Sequence, residues 1–235
     1  MNTYYNDCDC NNCIEDKNSI FNILNEEEKN ILKNNLTCIT YKRNETIFKE
    51  GFKPTGLIYL AKGQAKLCKE GIGHREQIIR LVKTGEFLGY RALFADEYYN
   101  ASAIALEEST VCIIDKKALY EVMARNCGFD MKIIKMLADE LGQSESRTVS
   151  LTQKYLRGRL AESLLLLIQT FGYEDDNKTI KVRMSREDLA SLSNMTTSNA
   201  IRTLYSFVHE GVIELEGKKI KVLDIHKLEQ ISNMG

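Results

Sequence analysis

The chain has 235 residues, of which 43% are hydrophobic and 28% are charged, and its formal net charge is −1. This length supports one large domain or two modest domains, each able to bury its own core. The near-neutral charge excludes a histone-like coat of positive charge, although a local basic face remains compatible with it.

Two features of the sequence bear on where the protein works. No apolar run approaches the roughly 18–20 residues that a bilayer-spanning helix needs, and the polar start MNTYYNDCDC lacks the layout of a signal peptide. We therefore expect a cytoplasmic protein with no membrane partner. The seven cysteines are an odd number, which in such a chain favours free thiols or metal ligands over a disulfide framework.

The N-terminal half begins with a helical pattern and continues with strands. The segment NSIFNILNEEEKNILKNNL (18–36) predicts one helix that buries Phe21, Leu24, Ile31 and Leu32. Short β-branched and aromatic runs with glycine turns follow, and half of the fourteen glycines lie between Gly51 and Gly89. This pattern predicts an antiparallel sandwich or barrel to about residue 115. Its strands are ETIFKEG, GLIYLAKG, QAKLCKEG, EQIIRLVKTGEF, ASAIALE and STVCIID.

The pattern changes in the next segment, where apolar and polar residues recur at intervals of three and four. This spacing is typical of a two-strand coiled-coil seam with two polar layers at its centre. The alternative is a single amphipathic helix packed on its own β-domain. We favour a dimerisation helix, because it must bridge two differently built halves. The seam residues are Ile134, Leu137, Leu141, Ser144, Thr148 and Leu151, with Tyr155 continuing the spacing.

The C-terminal segment MSREDLASLSNMTTSNAIRTLYSFVHEGVIELEGKKIKVL predicts two short helices followed by a hairpin. Ser185 and Asp188 have the form of a capping box, and Thr196 caps the second helix, which Gly211 ends. VIELEGKKIKVL reads as strand, turn and strand. This order is that of a winged helix-turn-helix, whose second helix enters the DNA major groove.

Candidate DNA contacts follow from that arrangement. Thr197, Ser198, Asn199 and Arg202 lie at the start of the second helix, and Arg202 is the candidate for bidentate reading of guanine. The alternative for Arg202 is a solvated surface charge. The other candidates suit phosphate contacts, which position a domain without reading sequence. They are Ser185, Arg186, Thr196, Lys218 and Lys219.

Taken in order, EGFKPTGLIYLAKGQAKL, GEFLGYRALF, SREDLASLSNMTTSNAIRTL and GVIELEGKKIKVLD resemble the Crp–Fnr superfamily of bacterial transcription regulators. The resemblance implies an α+β protein: an N-terminal antiparallel, jelly-roll-like β-roll, a long dimerisation helix and a winged helix-turn-helix. It also implies a homodimer on palindromic double-stranded DNA, with RNA polymerase as a further partner. We expect a cysteine-containing tail (1–18), a β-roll sensor domain (19–125), the dimerisation helix (126–153) and the DNA-binding domain (154–235).

The resemblance also locates an effector pocket. Cyclic-AMP-binding members carry there a Glu for the ribose hydroxyl and an Arg–Ser pair for the phosphate. This chain reads Gly89-Tyr90-Arg91 and Asn100-Ala101-Ser102, so a bound phosphate would be poorly compensated. We therefore expect an effector other than cyclic AMP, although Arg91 offers an alternative cation. The predicted pocket residues are Gly89, Tyr90, Arg91, Asn100, Ser102, Ser144 and Thr148.

The cysteines leave the cofactor open. The resemblance to oxygen-sensing members aligns Cys10 and Cys13 with two N-terminal cluster ligands and Cys112 with the strand ligand, while the third N-terminal position falls at Ser19. With Cys8 the chain would still offer the four thiolates of an iron–sulfur cluster. Because of Ser19 we do not favour the cluster. A zinc or thiol-redox role, or no metal function, are the alternatives. Cys38, Cys68 and Cys127 lack ligand spacing and are interpreted as structural or incidental.

The sequence gives no support for an enzyme. Its three histidines are scattered, and it contains no paired-histidine metal motif, nucleophile elbow or phosphate loop. The more serious alternative to a DNA-binding regulator is a sensor module of the cyclic-nucleotide-binding type. Such a module would regulate a partner protein without binding DNA.

Overall fold

The computed structural model describes residues 11–15 and 19–234. The chain forms two compact units, Met1–Lys69 with Arg80–Gly142 and Glu70–Ile79 with Gln143–Gly235. None of the described helices is long and apolar enough to cross a membrane.

The first unit contains two four-stranded sheets. One has the strand order β1-β8-β3-β6 and the other β2-β7-β4-β5, and neighbouring strands pair antiparallel where the register is defined. The strands are β1 Leu36–Tyr41, β2 Thr46–Phe48, β3 Gly56–Lys62, β4 Gln64–Glu70, β5 Glu76–Lys83, β6 Phe87–Leu88, β7 Ser102–Ala105 and β8 Ser109–Asp115.

Helices lie before, between and after these strands. They are α1 Asn11–Glu15, α2 Glu26–Lys33, α3 Tyr90–Phe94, α4 Lys116–Arg125 and α5 Cys127–Gln153, and α5 continues into the second unit.

Strand β3 explains how the first unit is layered. Its alternate residues enter two different cores: Ile58 and Leu60 pack with the second sheet, while Leu57 and Tyr59 pack with the helices. Strand β3 is therefore buried on both faces, and its sequence reads as a nearly continuous apolar run. The antiparallel sheet domain predicted from the glycine-punctuated strands is confirmed, as is the α+β fold class that the resemblance implies.

One predicted element is wrong. The single helix expected over 18–36 is instead a 3-10 turn (Ile20–Ile23), the helix α2 and the start of β1. Asn25 interrupts the helix because its side chain accepts a hydrogen bond from the Glu28 backbone and caps α2. The predicted burial of Phe21, Leu24 and Leu32 is confirmed, because spacing within each shorter piece is preserved.

The second unit contains the remaining helices and a hairpin: α6 Leu156–Phe171, α7 Arg186–Leu192, α8 Thr197–His209, β9 Ile213–Glu216, β10 Lys219–Val222 and α9 Ile225–Met234. Residues 70–79 also belong to it. The Ser191 hydroxyl donates to the Glu76 carbonyl at 2.8 Å and accepts from the Ile78 amide at 2.8 Å. Arg147 donates to the carbonyls of Ile78 and Leu192, and burial lowers its pKa.

Candidate nucleic-acid interface

Helices α7 and α8 begin where the local sequence predicts. The Ser185 hydroxyl accepts from the Asp188 amide at 3.0 Å, and the Asp188 carboxylate accepts from the Ser185 amide at 3.1 Å. Thr196 accepts from the Asn199 amide at 3.2 Å and caps α8. Between the helices Asn194 adopts a positive φ of 49°, which asparagine tolerates better than most residues. These short-range bonds set the turn of the helix-turn-helix.

The inner face of α8 fixes its position. Ala200, Leu204 and Phe207 are buried, and the Arg157 guanidinium lies 4.9 Å from the centre of the Phe207 ring. Arg157 also binds the Glu210 carboxylate through two nitrogens, so α6 holds the C-terminal end of α8. This pairing and the Ser206 hydroxyl lower the pKa of Glu210 to about 2. Packing and ion pairing therefore hold the inner face of α8, and this determines which side chains lie on its outer face.

The outer face of α8 is free to meet a ligand. Ser198 and Arg202 are exposed, and Arg202 donates to the Asn199 side chain at 2.7 Å, within the same face. Tyr205 is 65% exposed and follows Arg202 at the next turn. Sequence reasoning missed Tyr205, although the spacing of 198, 202 and 205 identifies one helical face. This face combines hydroxyl, amide, guanidinium and phenol groups, which suit base edges and phosphates.

The predicted phosphate contacts differ in how accessible they are. Arg186 donates to the Gly217 carbonyl at 2.9 Å, which ties the start of α7 to the turn between β9 and β10. Lys219 pairs with Glu174 at 3.0 Å. Lys218 and Thr196 are exposed, and the structure gives Lys218 no ion pair among the described residues. Lys218 and Thr196 are therefore the phosphate candidates that need no rearrangement.

Charges of both signs surround the hairpin of β9 and β10, which occupies the position of the wing. Lys221 lies 3.6 Å from Glu214, and Glu216 is also exposed. Asp176 accepts three hydrogen bonds, from the Thr179 hydroxyl and from the amides of Thr179 and Lys178, which lower its pKa to about 2. The positive face is consequently small, so we expect few phosphate contacts and a modest salt dependence.

Helix α5 carries the predicted dimer seam. Ile134 is 54% exposed and Leu141 is 61% exposed, so apolar side chains of the seam face solvent in the single chain. Leu137 is half-buried against the core of the first unit. At the central layers Ser144 and Thr148 are exposed, and the Thr148 hydroxyl donates to the Ser144 carbonyl at 2.9 Å. The Thr148 hydroxyl is therefore paired within its own helix.

The predicted effector residues of the first unit have several partners. Tyr90 is buried, the Arg80 guanidinium lies 5.3 Å from its ring centre, and its hydroxyl hydrogen-bonds Glu140. Burial raises the pKa of both Tyr90 and Glu140, while the Arg80 charge opposes this for each. Arg80 also pairs with Glu86 at 3.7 Å. This cluster joins β5, α3 and α5.

The other predicted pocket residues of the first unit differ in their exposure and in their partners. Arg91 is exposed and pairs with Glu97 at 2.9 Å, so the alternative cation points to solvent. Gly89 has a φ of +68°, and a Cβ there would stand 2.5 Å from the Tyr99 ring, which only glycine avoids. Ser102 accepts from the Glu50 amide at 3.0 Å, and Asn100 is exposed. The pocket assignment stays a prediction.

The structure brings together some of the predicted metal ligands. The Sγ atoms of Cys13 and Cys112 are 2.9 Å apart, whereas Cys8 and Cys10 lie outside the described residues. Cys38, which sequence spacing did not mark, lies 3.1 Å from Cys112. Ser19 caps the 3-10 turn by accepting from the Phe21 amide. No local pattern in the sequence marks Cys38, because its position opposite Cys112 arises from the pairing of β1 with β8.

Comparison with known proteins agrees with this geometry. The cyclic nucleotide-binding domain model matches residues 38–126, and the Crp-like helix-turn-helix domain model matches residues 158–231. The CRP-like cAMP-activated global transcriptional regulator of Mycobacterium tuberculosis is 24% identical over 84% of this chain and 88% of its own. Electron transport regulator A of Shewanella oneidensis is 27% identical over 81% of this chain and 76% of its own.

Solved structures share the fold. FixK2 from Bradyrhizobium japonicum superposes with a TM-score of 0.74 at 21% identity, covering 83% of this chain and 96% of its own. A CRP/FNR-family transcriptional regulator from Thermus thermophilus superposes with a TM-score of 0.67 at 20% identity. The match covers 83% of this chain and 98% of that structure's chain.

A domain of the cyclic-nucleotide-binding type followed by a Crp-like helix-turn-helix domain defines a transcription regulator of the Crp–Fnr type. The two domain models together span most of the sequence. The chain belongs to the Crp–Fnr superfamily.

Proposed function

We propose that this protein binds a palindromic operator in double-stranded DNA as a homodimer, and that a signal received by the β-roll controls its affinity for DNA. Helix α8 enters the major groove, with Arg202 reading a base and Thr197, Ser198 and Asn199 lying beside it. The observation that carries the proposal is the exposed polar face of α8 on a helix whose inner face is fixed by Phe207 and the pairing of Arg157 with Glu210.

The homodimer part of the proposal rests on α5. Its exposed Ile134 and Leu141, with Leu151 further along, form an apolar stripe at coiled-coil spacing. Association of two such helices removes this stripe from water, which favours dimerisation. Two-fold symmetry would then place two α8 helices about 34 Å apart, which is one turn of DNA.

The signal is proposed to act on the β-roll. The predicted pocket residues Gly89, Tyr90 and Ser102 lie there, and Tyr90 contacts Glu140 of α5, which is a route from the pocket to the helix. The relative from M. tuberculosis is named as cAMP-activated. Because this chain lacks the Arg–Ser pair and Arg91 is bound to Glu97, we propose that its effector is not cyclic AMP.

The place of action follows from the proposal. A regulator of this kind works in the cytoplasm, where its operator is, and acts by recruiting or blocking RNA polymerase. The rival proposal is a sensor module that regulates a protein partner and does not bind DNA.

An electrophoretic mobility shift assay separates the two proposals. Full-length protein is titrated against a duplex from its own promoter region and against a scrambled duplex of equal length and composition, over a series of salt concentrations. A DNA-binding regulator shifts the promoter duplex at lower protein concentration than the scrambled one, and salt weakens both shifts. The absence of any shift at low salt contradicts DNA binding and favours the protein-partner module.

A further inference from the structure

The outer face of α8 carries two large apolar side chains among its polar ones. Ile201 is 37% exposed and Tyr205 is 65% exposed, and their spacing of four residues makes them neighbours on the helix surface. Ser198 precedes Ile201 by three residues, Arg202 follows it directly, and both are exposed. Ile201 therefore lies among the candidate base contacts and not at the edge of that face.

The buried side of α8 is formed by other residues. Ala200, Leu204 and Phe207 are each 0% exposed and supply the apolar contacts that hold the helix. A β-branched side chain such as that of Ile201 is less favourable in a helix than alanine or a straight-chain residue. A single exposed apolar residue is ordinary on a protein surface, but Ile201 lies on the face that is proposed to meet DNA. Its side chain is therefore available for a contact there.

The major groove of DNA offers one apolar group to such a side chain. Each base pair presents hydrogen-bond donors and acceptors in this groove, and thymine alone adds a C5-methyl group. Isoleucine has no polar side-chain atom, so next to a donor or acceptor it would leave that group unpaired. Against a thymine methyl group, the same side chain removes two apolar surfaces from water. The chemistry of Ile201 therefore selects thymine among the four bases.

The neighbours of Ile201 suit other groups of the same groove. Arg202 is matched to O6 and N7 of guanine, and its hydrogen bond of 2.7 Å to the Asn199 side chain keeps the guanidinium on this face. Recognition helices contact base edges with residues near their N-terminus. Helix α8 begins at Thr197, so Ile201 is its fifth residue and Tyr205 its ninth. Of the two apolar side chains, Ile201 is the one nearer to the end that contacts bases.

We propose that Ile201 is a specificity-determining residue of the DNA-binding domain and that it binds the C5-methyl group of a thymine in each operator half-site. This rests on the proposed function, because it requires α8 to lie in the major groove. It goes beyond that function by naming the base that an apolar residue of α8 selects. Two-fold symmetry then gives the operator one such thymine in each half, near the guanine that Arg202 reads.

Removing the methyl group from the DNA tests this contact. Deoxyuridine differs from thymidine only by that methyl group, so the hydrogen-bonding edge of the base is unchanged. Synthetic promoter duplexes carry deoxyuridine at one thymidine position at a time, and fluorescence anisotropy with full-length protein measures each dissociation constant. Binding should weaken about fourfold when one half-site loses the methyl group that Ile201 contacts, and about fifteenfold when both do.

Ile201→Ala supplies the second arm of the experiment. This variant should bind the thymidine and deoxyuridine duplexes equally well, because the contact is absent from both complexes. Comparing two duplexes with one variant cancels any effect of the substitution on folding or on overall affinity. Ile201→Val keeps a β-branched apolar side chain and should retain part of the preference. Ile72→Ala truncates a fully exposed isoleucine outside α8 and should retain all of it.

The possible outcomes separate this inference from DNA binding itself. Equal affinity of the wild type for every thymidine and deoxyuridine duplex, or an undiminished preference in Ile201→Ala, would overturn the inference and leave DNA binding intact. A preference that Tyr205→Ala loses and Ile201→Ala keeps would assign the methyl contact to Tyr205 and overturn it as well. A wild-type protein that does not distinguish the promoter duplex from a scrambled one would contradict the proposed function and this inference together.

Discussion

The outer face of α8 and the buried cysteines of the first unit place polar or reactive groups in opposite surroundings. Arg202 and Tyr205 face solvent on a helix whose other side is fixed, whereas Cys13 and Cys112 are enclosed among apolar side chains. A polyanion such as DNA is too large to be enclosed, so the side chains that bind it must be exposed. The buried face of the same helix orients them. A buried cysteine, in contrast, packs as a small apolar side chain and is kept away from solvent.

The largest expected effect separates the buried and the exposed sides of α8. Phe207→Ala empties a fully buried site and should lower the free energy of unfolding by about 3–5 kcal/mol. Tyr205→Ala, a matched aromatic truncation on the exposed side, should change it by less than about 0.5 kcal/mol. Urea unfolding followed by circular dichroism measures both. Similar losses for the two variants would contradict the assigned orientation of α8.

A second prediction asks whether the exposed apolar stripe of α5 becomes buried in a dimer. Leu141→Asp would place two uncompensated charges in a central layer, so the dimer should dissociate about a hundredfold more readily. Sedimentation equilibrium measures the dissociation constant. Ser144→Leu with Thr148→Ile should have the opposite effect, because it makes two polar layers apolar.

The control for the seam is Lys135→Asp, which lies outside the predicted stripe on the same helix and is exposed. It introduces the same carboxylate and also removes one positive charge, and it should still leave dimerisation within about twofold of the wild type. Equal weakening by Lys135→Asp and Leu141→Asp, or a wild-type monomer at all concentrations, would contradict the seam.

The third prediction separates sequence reading from phosphate binding. Arg202→Ala should weaken binding to the operator by about 1–3 kcal/mol and relax specificity at one base pair. Lys218→Ala should weaken binding to all duplexes about equally and reduce the salt slope by about 1. Fluorescence anisotropy with operator and scrambled duplexes measures both. An equal loss for Arg202→Ala on both duplexes would make Arg202 a phosphate contact.

The smallest expected effect is a pH dependence of the second unit. Hydrogen bonds and the Arg157 charge lower the pKa of Glu210 to about 2, from an ordinary value of 4.5, and hydrogen bonds lower that of Asp176 to about 2 from 3.8. A lowered folded-state pKa stabilises the protein above the ordinary value, and this stabilisation is lost as the pH falls towards 2. Both carboxylates are solvent-accessible, so solvent screening keeps the effect small.

Thermal unfolding between pH 5 and about pH 2 measures this loss. Glu210→Gln should be less stable than the wild type at pH 5 and should approach it near pH 2, since both then carry a neutral side chain. A constant difference over this range would show that Glu210 acts through packing and not through its charge.

The parts of the molecule that sequence predicted are those set by short-range chemistry. The capping box of Ser185 and Asp188 and the cap at Thr196 involve residues three apart, so their spacing is visible in the chain. The glycine-punctuated strands and the helix spacing of α5 are equally local. For this reason the order of elements and the face of α8 carrying Arg202 could be predicted.

What sequence missed depends on contacts between distant residues. Cys38 meets Cys112 across 74 positions and Arg157 meets Glu210 across 53, and neither pair has a local pattern. Sequence reasoning did not predict strand β1, because the apolar residues just before it are spaced as in a helix. The hydrogen bonds between β1 and β8 form only in the folded sheet. Likewise, nothing in the sequence shows that Arg186 binds the Gly217 carbonyl.

Hydroxyl-radical footprinting of the promoter duplex tests the central claim, that two α8 helices read a symmetric operator, most directly. The account predicts two protected stretches of equal length, centred about one helical turn apart, which Arg202→Ala weakens together. A single asymmetric stretch, or protection that spreads evenly along the duplex and is unchanged by Arg202→Ala, would contradict it.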